Sequence, residues 1–134
     1  MIRQAVICSI LISAVAQGVA AQSLSVTGNA DHAFCADRPE EPETISEIPM
    51  RQSHKRILAQ RMYTEGALTA VVESEDCSCD VRFPSWGSTV EQYLELYAGI
   101  DDRHEVLALV SERRRSINDL RNLARPICVE IGNW

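Results

Sequence analysis

The spacing of the cysteines constrains this chain more than any other feature. Cys77 and Cys79 are separated by a single residue, whereas Cys35 and Cys128 lie far from them on either side. A bond between Cys77 and Cys79 would close a strained ring, so we expect each of them to pair with one of the distant cysteines. The spacing leaves open which of the two pairs with Cys35 and which with Cys128.

The N-terminus indicates the oxidising compartment that such disulfides need. Arg3 precedes an uncharged, mainly apolar run of roughly a dozen residues, the length of a signal-peptide core and shorter than the roughly 20 that span a membrane. Val19 and Ala21 stand at the two positions that specify cleavage before Gln22. We predict a signal peptide over residues 1–21 and a periplasmic or secreted protein, with no stable membrane insertion after cleavage.

The protein that remains is acidic and carries an even number of cysteines. Loss of Arg3 takes the formal net charge from −6 to −7, a balance that argues against nucleic-acid binding, which needs a basic surface. Cys8 leaves with the signal peptide, and the other four cysteines predict two structural disulfides. Each would close a loop of about 40 to 50 residues and contribute roughly 3 to 4 kcal/mol.

Cysteines can also hold a metal or carry out redox chemistry. Structural zinc sites use paired C-x-x-C or C-x-x-H knuckles, and thioredoxin-like chemistry uses C-x-x-C, neither of which this chain contains. We therefore expect no metal and no cofactor. Metal carriage by Cys77 and Cys79 remains a third possibility that requires their thiols to be free.

The rest of the chain divides into an arm and a helical domain. Residues 22–50 contain Gly28, three prolines and several glutamates, which predicts an irregular acidic arm pinned at Cys35. Residues 51–134 are expected to form the disulfide-stapled domain. The fold class we predict is all-α, a small bundle of about three helices with an irregular N-terminal arm and two disulfides.

Apolar periodicity and capping residues place the three helices. The first is predicted over residues 51–73, with Ser53 as its cap. The second begins at the capping box Ser88-Thr89-Val90-Glu91, and the third begins at Asp101 or Asp102 and kinks or stops before Pro126. The residues predicted to face the core are Leu58, Met62, Leu68 and Val72, then Val90, Tyr93, Leu94 and Tyr97, then Val106, Leu107, Val110, Ile117, Leu120 and Ala124.

No catalytic motif is present. The chain lacks a G-x-S-x-G elbow, an H-E-x-x-H zinc motif and a glycine-rich phosphate loop. We therefore assign no catalytic residue and favour a protein that is not an enzyme. The alternative is a small secreted enzyme or enzyme inhibitor whose site is assembled from scattered polar residues such as His54, Glu65 and His104.

Features suited to binding are more numerous. Phe83 and Trp86 form an aromatic turn directly after the Cys-Ser-Cys segment, and aromatic residues carry much of the energy of protein interfaces. The basic run Arg113, Arg114 and Arg115 and the aromatic Trp134 are further candidate partner contacts. Each also has a simpler interpretation, as core packing for the aromatic residues and as a solvated helix face for the arginines.

Two stretches of sequence carry a resemblance. Cys-Ser-Cys-Asp-Val-Arg-Phe-Pro-Ser-Trp, at residues 77–86, and Ala-Arg-Pro-Ile-Cys-Val-Glu-Ile-Gly-Asn-Trp, at residues 124–134, resemble segments of small exported proteins found with conjugative type IV secretion genes in alphaproteobacteria. The resemblance covers the chain after Arg51 and brings no catalytic residue with it. It implies a periplasmic accessory protein with a protein partner in a secretion or conjugation complex.

Overall fold

The computed structural model describes Cys35 and residues 38–134, so the predicted signal peptide lies outside the described residues. Within these residues the chain is helical and contains no strand. The all-α prediction with two disulfides is therefore confirmed. The elements are α1 (Glu43–Ser46), a 3-10 turn (Met50–Gln52), α2 (Ser53–Ser74), α3 (Cys79–Arg82), α4 (Gly87–Leu96) and α5 (Arg103–Ile131).

The two long helices, α2 and α5, lie side by side and run in the same direction. Lys55, at the start of α2, donates a hydrogen bond to the carbonyl oxygen of Ala98, just before α5. Farther along, Glu65 pairs with Arg113, and Cys77 after α2 is bonded to Cys128 near the end of α5. A parallel pair needs a return connection, which α3, α4 and their loops supply.

The side-chain caps predicted for α2 and α4 do not form, and the reason is the same at both. Ser53 and Trp86 both have helical backbone angles, and the side chains at the starts of α2 and α4 make no capping hydrogen bond. A side-chain cap needs an extended residue immediately before the helix. Because α4 already begins at Gly87, Ser88 lies inside it and the predicted capping box does not form. Asp102 does cap α5, since its carboxylate accepts a hydrogen bond from the amide of His104 at 2.8 Å.

Pro126 does not end the last helix, which continues to Ile131. The ring of Pro126 is exposed, and the turns that follow are held by the Cys77–Cys128 disulfide. Gly132 then ends α5 in the left-handed region, with φ of 86°, and the amide of Asn133 donates to the carbonyl oxygen of Cys128. A covalent tether beyond the proline therefore offsets the backbone hydrogen bond that it removes.

The part of the arm that the structure describes is more closely integrated than its composition predicts. Ile45 of α1 is fully buried in the core. The Glu41 carboxylate accepts hydrogen bonds from Arg56 and Gln60 of α2. Ile45 and Glu41 thus dock on the helices a segment whose other residues are mostly polar.

The core consists of two clusters along α2 and α5. The first is aliphatic and aromatic and contains Ile45, Leu58, Ala59, Met62, Tyr93 and Val106. The second contains Val71, Ala124 and the buried disulfide Cys77–Cys128. Leu94 and Leu107, predicted to face inward, are 52% and 37% exposed. They lie outside the core because α4 and α5 each pack on α2 through a narrower face than the predicted stripe.

A candidate ligand-binding cleft

The cysteine pairing that the sequence left open is Cys35–Cys79 and Cys77–Cys128, with 5.1 Å between the Cα atoms of each pair. Because these bonds engage both cysteines of the Cys-Ser-Cys segment, the free thiols needed for metal carriage are absent from the structure. Among the described residues no group of three potential metal ligands lies together.

A tight turn after α2 gives the two cysteines of this segment different surroundings. Glu75 adopts the left-handed region with φ of 54°, and the Asp76 carboxylate accepts hydrogen bonds from the amide and the hydroxyl of Ser78, both at 2.8 Å. Cys77 is consequently buried in the second core cluster, while Cys79 begins α3 and is half-buried. The turn thus places one disulfide inside the protein and the other at its edge.

Trp86 is anchored within the fold. Its ring stacks on Tyr63 with 4.2 Å between the centroids, and its indole N–H donates to the carbonyl oxygen of Pro39 at 3.0 Å. The Tyr63 hydroxyl donates to the carbonyl oxygen of Pro84 at 2.9 Å. Burial raises the pKa of Tyr63, and the nearby charge of Arg38 opposes that shift. With 5% of its surface exposed, Trp86 holds the arm against α2 rather than offering a ring to a partner.

Beside this stack lies an open cleft of about 310 Å³, which we call the arginine cleft. It is formed where the arm, α2, α3 and the end of the chain meet α5. Its lining residues are Arg38, Tyr63, Thr64, Ala67, Leu68, Arg82, Phe83, Arg121 and Trp134. Three of these side chains are cationic, three are aromatic and none is acidic, although the whole chain has a net charge of −6.

Arg82 lies among aromatic rings in the cleft. Its guanidinium carbon is 5.1 Å from the ring centroid of Phe83 and 5.3 Å from that of Trp134. Burial lowers the pKa of Arg82, because a guanidinium removed from water loses hydration. Arginine remains charged in neutral solution all the same. The rings therefore hold a partly desolvated cation at the cleft, and Phe83 and Trp134, both predicted partner contacts, lie next to it.

The cleft arginines have little carboxylate pairing of their own. Arg38 is 3.6 Å from Glu41, whose carboxylate is also bound by Arg56 at 2.8 Å. Within residues 38–134 no ion pair is formed by Arg82 or Arg121. Two cations in the same cleft are thus left without an acidic side chain of the described protein to neutralise them.

The basic run predicted as a contact does not act as a unit. Arg113 is half-buried, forms an ion pair with Glu65 and donates a hydrogen bond to the hydroxyl of Tyr97 at 2.9 Å. Arg114 and Arg115 are exposed and do not line the arginine cleft. Arg113 therefore joins α5 to α2, and only its two neighbours are free to meet a partner.

The structure does not bring Glu65 together with either histidine of the enzyme alternative. His54 and Glu65 are on the same helix, and eleven residues of α helix span about 16 Å. His104 stands in the first turn of α5, about 13 Å along that helix from the Arg113 that pairs with Glu65. Neither histidine is therefore placed to share a proton with Glu65 through a direct hydrogen bond.

Arg38, Arg82 and Arg121 were not identified as site residues from the sequence. They belong to the arm, α3 and α5, and only the fold brings them to one cleft. The sequence did carry a partial signal, because Arg82 directly precedes Phe83 in the aromatic turn. The local sequence does not distinguish Arg121 from the other exposed arginines of α5.

Comparisons with known proteins add no relative. No family model, curated protein or solved structure matches this chain. Among the described helices, none combines the length and the apolar character needed to cross a membrane.

Proposed function

We propose that this chain is a non-enzymatic interaction protein of the periplasm, an accessory component of a type IV secretion or conjugation envelope complex. The observation that carries the proposal is the arginine cleft, where Arg82 and Arg121 share one open surface with Phe83 and Trp134. Arginine and tryptophan are among the residues that contribute most energy to protein interfaces. A protein partner would meet this surface.

Export is supported by the two disulfides and by the N-terminal sequence. Disulfides persist in the periplasm and outside the cell, where thiols are oxidised, and are rare in the reducing cytosol. The apolar run after Arg3 has the length of a signal-peptide core. The secretion complex is proposed from the resemblance of residues 77–86 and 124–134 to exported proteins of conjugation gene clusters.

The cleft favours binding over catalysis because of its chemistry. Among the described residues that line it there is no histidine, acid, cysteine or serine, the usual sources of a general base or a nucleophile. Glu65 lies about three helical turns from His54 along α2, and none of His54, Glu65 and His104 lines the cleft. An enzyme would have to use groups other than these, and no observation singles out such a group.

The test is affinity purification from the envelope of a bacterium that expresses both the tagged protein and its secretion genes. We expect components of the secretion complex to be recovered with the natural protein and identified by mass spectrometry. The matched control is the Arg115→Gln variant, which removes one exposed charge outside the cleft and should recover the same components. Recovery of no envelope component would overturn the proposal.

A further inference from the structure

We propose that the arginine cleft binds a short acidic segment of a protein partner, with carboxylates paired to Arg82 and Arg121 and an apolar side chain resting on Leu68. This inference rests on the proposed function and specifies the chemistry of the partner. The ligand is an extended peptide rich in aspartate and glutamate that also carries an apolar residue.

The charge of the cleft favours an acidic ligand. Three cations line the cleft, and none of the described residues that line it is acidic. Positive charge gathered on low-dielectric walls attracts anions even when the whole protein is negative. Because Arg82 and Arg121 have no ion-pair partner within the described residues, an incoming carboxylate would not have to displace an internal one.

The surroundings of Arg82 favour a carboxylate as well. Phe83 and Trp134 hold its guanidinium by ring contacts, which restrict the side chain without using a carboxylate. The guanidinium keeps N–H donors in a planar fork that matches the two oxygens of a carboxylate. A restricted arginine loses less conformational entropy on binding, so its contribution to affinity is larger than that of a free surface arginine.

The apolar wall of the cleft favours a peptide over other anions. Leu68 is half-buried and supplies carbon surface next to the arginines, backed by the buried Ala67 and Tyr63. Inorganic phosphate would leave that surface unused, and a nucleic acid would have to bring many phosphates against a protein of net charge −6. A peptide that alternates acidic and apolar side chains can use both the arginines and the wall.

The experiment is a calorimetric titration of the full mature chain with both disulfides intact. The probe is a synthetic peptide of eight residues containing aspartate, glutamate and one leucine. Its matched control replaces every acid by the corresponding amide. We expect the acidic peptide to bind, the amide peptide not to bind, and the affinity to fall when salt is raised from about 0.05 to 0.5 M, because salt screens the charges.

Variants locate the binding surface. Arg121 is exposed and has no ion pair within the described residues, so Arg121→Gln should fold normally, which its melting temperature would verify. We expect Arg121→Gln and Arg82→Gln each to weaken peptide binding at least about fivefold, since each removes a charged hydrogen-bond donor. Arg115→Gln removes the same charge at a position outside the cleft and should leave the affinity unchanged.

Several outcomes would overturn the inference. They are absence of binding, equal binding of the amide peptide, an equal loss in Arg121→Gln and Arg115→Gln, and tighter binding of inorganic phosphate or single-stranded DNA than of the peptide. Failure of the proposed function can be told apart from failure of this inference. If the protein binds the peptide but recovers no envelope component, only the proposed function is overturned. If Arg121→Gln recovers the same envelope components as the natural protein, only the assignment of the cleft as the binding site is overturned.

Discussion

The two halves of this molecule are stabilised by different means. In the half where α2 and α5 begin, α1 and α4 cover the helix pair, and the first core cluster is built from side chains such as Ile45, Leu58 and Tyr93. In the half where both helices end, the second cluster has only Val71 and Ala124 beside Cys77 and Cys128 as its buried members. The Cys77–Cys128 disulfide therefore supplies two of the four buried residues of this cluster.

The arginine cleft and a smaller cavity lie in different halves of the molecule. Where α4 packs on α2, the smaller cavity of about 250 Å³ is bordered by Glu65, Tyr97 and Arg113. At the other half, the short α3 and the end of the chain are held by disulfides and leave the cleft of about 310 Å³ open beside Arg82 and Arg121. A thin core held by covalent bonds can retain an open binding surface without losing its shape.

The largest effect should come from removing the buried disulfide. Cys77→Ala with Cys128→Ala opens a loop with a sequence separation of 51 and should lower the free energy of unfolding by about 4 kcal/mol. Thermal and urea denaturation would measure the loss.

The outer disulfide is the matched control for that prediction, because its sequence separation of 44 is similar. Removing Cys35 and Cys79 should cost only about 2 kcal/mol, since the native arm regains freedom when it is released. Equal losses in the free energy of unfolding would contradict the prediction that the buried disulfide stabilises the protein more than the outer one.

The next effect tests the aliphatic half. Leu58→Ala leaves a cavity in a fully buried position and should lower the free energy of unfolding by about 3 kcal/mol. Leu94→Ala is the control, because this exposed leucine of α4 should change stability by less than about 0.5 kcal/mol. A loss at Leu94 as large as that at Leu58 would contradict the core assignment.

Much of this organisation follows from the sequence, and the remainder does not for identifiable reasons. The long helices α2 and α5 were predicted because their apolar residues recur at helical spacing, and Asp102 caps α5 as expected. The short α1 was missed because a four-residue helix among prolines has no periodicity to detect. The arginine cleft was missed because its cations are far apart along the chain.

A smaller effect should separate the three consecutive arginines. Arg113→Gln removes the link to Glu65 and Tyr97 and should lower the free energy of unfolding by about 1 kcal/mol. Arg114→Gln and Arg115→Gln remove exposed charges and should have almost no effect. Urea denaturation of the three variants measures the difference, and identical curves would contradict the structural role of Arg113.

The smallest effect should be a loss of stability in alkali. Burial raises the pKa of Tyr63 and of Tyr93 above the ordinary value of 10.0. The unfolded chain therefore loses these protons first, so the contribution to stability is complete below pH 10 and declines as pH rises toward the higher pKa of the folded protein. Melting temperatures between pH 9 and 11 should fall, and less steeply in Tyr93→Phe. A profile that is identical in this variant would exclude Tyr93 as a contributor.

The central claim is that the arginine cleft is the surface that meets the partner. The most direct measurement is photocrosslinking in the living cell, with a photoreactive residue in place of Thr64, an uncharged residue that lines the cleft, or, as the control, Arg115. We expect position 64 to form an adduct with an acidic segment of an envelope protein, identified by mass spectrometry, and position 115 to form none. An adduct from position 115 alone, or none from either position, would contradict the central claim.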